Sequence, residues 1–108
     1  MNSETETGDE IVTVSLVTPK PDRIEEFIEI QTGFQKSVAG RINGLLGGRL
    51  LHSEDGRSLI IMSRFKTHDD LANWSTSELF AGHLARVGPM LEQAVPGRYT
   101  ALWRSGDV

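Results

Sequence analysis

The side chains best suited to chemistry lie in Thr67 to His83, THDDLANWSTSELFAGH. Phe80, His83, Leu84 and Val87 recur at i, i+3, i+4 and i+7, which sets the imidazole on the inward face of a helix. An imidazole titrates near about 6.5, and burial or a charged partner moves that value across neutrality, so His83 is the candidate acid or base. Trp74 puts an aromatic ring at a helix junction. On one continuous helix Trp74 and His83 would point in opposite directions, at roughly 100° per residue. A break removes that conflict, and the sequence supplies one: Thr67 with Asp70, then Ser75 with Glu78, each read as a capping box opening a separate helix. The same two rings equally suit a hydrogen-bonded core histidine and ordinary core tryptophan, and both readings stay open at this point.

The elements that must position these rings follow from the periodicity. Ile11 to Val17 is a β-branched strand with Val12, Val14 and Leu16 on one face and Thr13 and Ser15 on the other. After a loop at Thr18 to Pro21, Asp22 or the prolines before it start a helix, with Ile24, Phe27, Ile28, Phe34 and Val38 at helical spacing and Gln31 on the same face. The glycine-rich stretch GRINGLLGG has neither phosphate-loop spacing and reads as a hinge. Arg49 to Ser53 and Ser58 to Phe65 form a hairpin around the Asp-Gly pair of EDGR, and the apolar centre of its second strand calls for cover on both faces. Gly88 and Pro89 end the helix that carries His83, Pro89 to Val95 has no clear form, and Gly97 to Arg104 reads as the last strand. The order fits an α+β, ferredoxin-like fold: a four-stranded antiparallel sheet with helices on one face.

The totals narrow the function. A chain of 108 residues supports one domain, placed at 10–104 between a disordered tail at 1–9 and a short tail at 105–108. Its net charge of -4, with basic residues scattered, disfavours nucleic acid and anionic membrane as partners. It has no cysteine, so no thiolate metal site or cysteine nucleophile, and no run resembling a signal peptide or membrane span. A soluble, cytoplasmic protein is the expectation.

Three segments, LVTPKPDRIEEFIE, INGLLGGRLLHSEDGRSLIIMSRFKTHDDLANW and SELFAGH, resemble the antibiotic biosynthesis monooxygenase family over roughly residues 11 to 103. The family pattern falls on Glu25, Glu26 and Phe27, on Gly44, on Phe65, and on Trp74, Phe80 and His83; Asn43-Gly44 stands where Pro-Gly is common, and Phe65 where Trp is common. The resemblance implies a homodimer whose two sheets pack face to face as a dimeric α/β barrel, which would supply the second cover the hairpin asks for. It also implies a pocket between helices and sheet, and oxidation of a planar aromatic such as an anthrone by dioxygen with no cofactor or metal. Such a reaction needs a base, or a donor that stabilises an anion, in a dry flat cavity. His83 and Trp74 become the catalytic candidates, and Phe27, Gln31, His52, Arg64 and Phe80 the candidate substrate contacts. Gln31 also suits a helix-edge residue, and Arg64 either the neutraliser of a phenolate or half of a salt bridge across the dimer. His52, at a strand end beside the turn, is a reserve base, and His68 in a first helical turn reads as exposed.

Other functions of the same superfamily remain beside it. Haem-degrading enzymes use Trp and His in similar places with an Asn on the first strand, where this chain has Thr13 and Ser15, which speaks against haem degradation and leaves haem binding open. A small-carbonyl isomerase would need only the acid/base residue, and a dimer that binds a hydrophobic metabolite without catalysis would need none.

Overall fold

The computed structural model describes residues 10–106; the expected tail at 1–9, and 107–108 at the other end, lie outside it. The elements are β1 (Ile11–Pro19), a 3-10 turn at Pro21–Arg23, α1 (Ile24–Val38), β2 (Leu45–His52), β3 (Leu59–Phe65), α2 (His68–Ser75), α3 (Glu78–Val87), a second 3-10 turn at Gly88–Met90 and β4 (Leu91–Thr100). The strands form one antiparallel sheet in the order β2-β3-β1-β4, the expected ferredoxin-like α+β arrangement.

Strand alternation decides which residues meet the helices. Ile11 and Val17 on β1 are buried, and their register partners Phe65 and Leu59 on β3 are buried with them. Val17 and Leu59 pack with Phe27 of α1, Val87 of α3 and Met90, while Ile11 and Phe65 pack with Leu71 of α2. The helix-covered face therefore holds two apolar clusters, one toward each end. Thr13, Ser15 and Ser63 share that face between the clusters, all half-buried. The opposite face carries Val12, Val14 and Leu16 beside Ile60, Met62 and Arg64 of β3, with Leu51 and Arg49 of β2 on one flank and Val95 and Tyr99 of β4 on the other. Leu16, Leu51, Val95 and Tyr99 there are exposed.

Two glycines set turns that other residues would strain. Gly44 has φ +78°, and a Cβ on it would collide with the Asp70 carboxylate at the start of α2. Its carbonyl accepts from Lys66 N–H at 2.8 Å, which locks the entry to β2 against the exit of β3. Gly56, also at φ +78°, completes the hairpin turn, whose Asp55 carboxylate accepts from the Ser53 hydroxyl at 2.7 Å and the Arg57 N–H at 3.0 Å.

Three boundaries differ from the sequence reading. The last strand runs from Leu91 to Thr100, not from Gly97 to Arg104, because it pairs along the whole of β1; Pro96 is tolerated since β4 is an edge strand. β2 begins at Leu45 rather than Arg49, with a bulge between Leu45 and Gly47 that admits the glycine pair into the strand. The first helix opens at the prolines, one of the two starts read from the sequence, as a 3-10 turn at Pro21–Arg23, and becomes α-helical at Ile24. The second capping residue is Ser77, not Ser75, as its hydroxyl accepts from Phe80 N–H at 3.2 Å.

Candidate functional site

Three helices converge on His83. α1 presents Gln31 and Phe34 one turn apart, α2 ends on Trp74 and Ser75, and α3 presents Phe80 and His83 on one stripe. The break between α2 and α3 is built from short polar side chains. Thr67 caps α2 through Asp70 N–H at 3.0 Å; at its other end the Thr76 hydroxyl donates to the Ala72 carbonyl at 2.8 Å, and the Ser77 hydroxyl to the Trp74 carbonyl at 2.7 Å. This reversal swings Trp74 onto the side where Phe80 and His83 project.

The result is one imidazole among three aromatic rings. His83 stacks on Phe34 with ring centroids 3.8 Å apart and planes 6° from parallel. Trp74 lies 6.0 Å from Phe34 at 28°, and 5.3 Å from Phe80 at 44°. His83 Nε2 stands 2.6 Å from Gln31 Oε1, and the two residues are 7% and 5% exposed, so the bond is shielded from water. Burial first, and the positive charge of Arg86 second, hold the His83 pKa below its ordinary 6.5. The ring is therefore neutral at pH 7, the state a general base requires.

Four other residues named from the sequence have their partners elsewhere or lie exposed. Phe27 has no exposed surface and belongs to the core with Val17, Leu59, Val87 and Met90. Arg64 pairs with Glu10 of its own chain at 2.6 Å, so its charge is already matched inside the subunit. His52 bonds the Gly56 carbonyl at 3.1 Å and braces the hairpin turn. His68 is exposed at the start of α2. Phe80 and Gln31 do join His83 and Trp74. Phe34 is the residue that sequence reasoning placed only among core positions: a Phe one turn beyond Gln31 looks like any apolar helix position until the stack on His83 is seen.

Below the helices, the hydroxyls of Thr13, Ser15 and Ser63 provide a polar strip on the sheet, and Gln35 Oε1, one turn beyond Gln31, is a buried acceptor without a partner. Among the described residues no three His, Asp or Glu side chains converge to hold a metal ion, and no helix is long and apolar enough to cross a membrane.

Comparison with known proteins agrees with the fold. The family model for antibiotic biosynthesis monooxygenase matches residues 11–86. Among solved structures, the chain resembles a variant of SnoaB, a cofactor-independent oxygenase from Streptomyces nogalater, at 21% identity and TM-score 0.77, covering 86% of this chain and 93% of that one. It also resembles Rv0793 from Mycobacterium tuberculosis at 17% identity and TM-score 0.80, covering 90% and 99%. A protein from Shewanella oneidensis, SO0527, matches at 16% identity and TM-score 0.81, covering 94% and 99%. No curated protein sequence matches the chain.

Proposed function

The chain belongs to the antibiotic biosynthesis monooxygenase family, and we propose that it is a cofactor-independent monooxygenase that oxidises a planar aromatic substrate of the anthrone type with dioxygen. The observation that carries this reading is a buried imidazole stacked on Phe34, with Trp74 and Phe80 extending the same ring cluster. His83 takes a proton from the acidic ring CH2 of the substrate, leaving a delocalised carbanion that is electron-rich enough to reduce dioxygen. Electron transfer and C–O bond formation give a peroxide anion, which takes up a proton to become the hydroperoxide. Loss of water then leaves a carbonyl where the CH2 stood: one oxygen atom of O2 stays in the product, the other leaves as water, and the substrate supplies all four electrons. Trp74 and Phe80 stack against the substrate plane, and their exclusion of water keeps the imidazole a neutral base.

The working unit in this proposal is a homodimer. Support comes from the exposed apolar residues on the uncovered sheet face, and from Leu102 and Trp103 beyond β4, which are 91% and 68% exposed. A second copy packed on that face would bury them and complete a two-sheet barrel. Oxygen uptake with a model anthrone, compared between the wild type and His83→Ala, tests the activity.

A further inference from the structure

The geometry points to Gln31 as the positioning residue of His83: its amide oxygen holds the ring proton on Nε2 and thereby makes Nδ1 the base nitrogen. The role in turnover rests on the oxygenase reading above, whereas the placement of the proton does not.

A neutral imidazole has one N–H and one lone pair, and which nitrogen carries the proton follows from the partners. The carbonyl oxygen of an amide accepts and does not donate, so the 2.6 Å contact from Nε2 to Gln31 Oε1 requires the proton on Nε2. Nδ1 keeps the lone pair. The stack on Phe34, with planes 6° apart, fixes the plane of the ring, and the bond to Gln31 fixes its rotation within that plane. Together they remove both freedoms that an imidazole on a helix would otherwise have, the condition for a proton acceptor aimed at one place.

The choice of amide over carboxylate also follows. A Glu at the same place would pair with the imidazolium and keep it charged, which would remove the base at neutral pH. Gln31 satisfies the N–H without adding charge. The charged side chain that acts on the ring is Arg86, on α3 itself, which opposes protonation. From α1 the ring meets Gln31 and Phe34, neither of them ionisable, while Glu26 of α1 lies with Arg23 and Arg86. α2 contributes Trp74 to the ring cluster, which brings no charge.

Nitrogen-15 NMR of the imidazoles, recorded against pH alongside the pH profile of oxygen uptake, tests the assignment on the full-length protein. The wild type should show His83 with a protonated Nε2 and an unprotonated Nδ1 at neutral pH. Gln31→Glu should raise the His83 midpoint by about 1 to 3 pH units, and the acid limb of kcat should move the same way. Gln31→Leu should lose the slowly exchanging Nε2 proton and lower kcat about tenfold or more, with a smaller change in KM. A proton on Nδ1 in the wild type, meaning an amide that donates to Nε2, would overturn the proposal, as would a midpoint unmoved in Gln31→Glu. The expected proton placement without any oxygen uptake would uphold Gln31 and sink the oxygenase reading alone.

Discussion

Gln31 Oε1 and His83 Nε2, 52 positions apart in the chain, meet at 2.6 Å and tie α1 to α3 through a buried hydrogen bond. Deleting one partner leaves the other buried and unsatisfied, which costs about 1 to 3 kcal/mol. The bond is thus both a fastening between two helices and a control on the protonation of the ring.

Burial depresses the His83 pKa, so the sign of its effect on stability is fixed. The unfolded chain takes up a proton at about 6.5, whereas the folded protein does so only at lower pH. His83 therefore contributes its full share of stability above the unfolded value and loses it as pH falls through the folded one. Thermal unfolding followed from pH 8 to pH 5 should show this loss in the wild type, and His83→Gln should lack that component of the decline. Equal pH dependence in both would contradict a depressed pKa.

The two serines near the helix break separate cleanly. Ser77 caps α3, so Ser77→Ala should cost about 1 kcal/mol, or a fall of roughly 4 to 8 °C in Tm for a domain of this size. Ser75 donates to the Ala72 carbonyl within α2, a bond that adds little to a helix already formed. Ser75→Ala should leave Tm nearly unchanged, and the reverse ranking in calorimetry would contradict the observed cap.

Phe34 is half-buried and stacked on both His83 and Trp74. Phe34→Ala should destabilise by about 2 kcal/mol, below the 3 to 5 typical of a fully buried Phe. Phe34→Leu should cost less but release the imidazole, visible as broadened His83 ring resonances. An unchanged ring signal in Phe34→Leu would deny the stack its orienting part.

Much of the scaffold was legible in the chain because it follows local rules: the alternation of β1, the Asp-Gly hairpin and the helix that buries His83 and Val87, although Leu84, assigned to the same inward stripe, is exposed. What was not legible depends on partners. Residue type makes Val12, Val14 and Leu16 the more apolar face of β1, yet Thr13 and Ser15 face the helices; the choice is set by Ile11 and Val17 at the ends. Pro96 concealed β4, since edge position is a property of the sheet, not of the segment. Ser75 matched the capping pattern better than Ser77, and only the closing turn of α2 decides between them. At the site, spacing put Phe80 and His83 on one stripe and the family resemblance added Trp74, but the pairings of Gln31 with His83 and of Arg64 with Glu10 are tertiary and have no local signal.

The proposed dimer has its own test. The subunit mass is 11.9 kDa, and light scattering after gel filtration should return twice that. Leu16→Glu places a charge at the centre of the uncovered face and should drive the protein to monomer while its far-ultraviolet circular dichroism persists. A monomeric wild type would contradict the barrel.

The central claim is that His83 acts as the base of a cofactor-independent oxygenation. The direct measurement is oxygen consumption by purified, chelator-treated protein with a model anthrone, for the wild type, His83→Ala and Trp74→Phe. The account predicts uptake that survives chelation, falls at least about a hundredfold in His83→Ala and less in Trp74→Phe, with one quinone formed per O2 consumed. Uptake no faster than the spontaneous rate in the wild type, or equal uptake in wild type and His83→Ala, would contradict it.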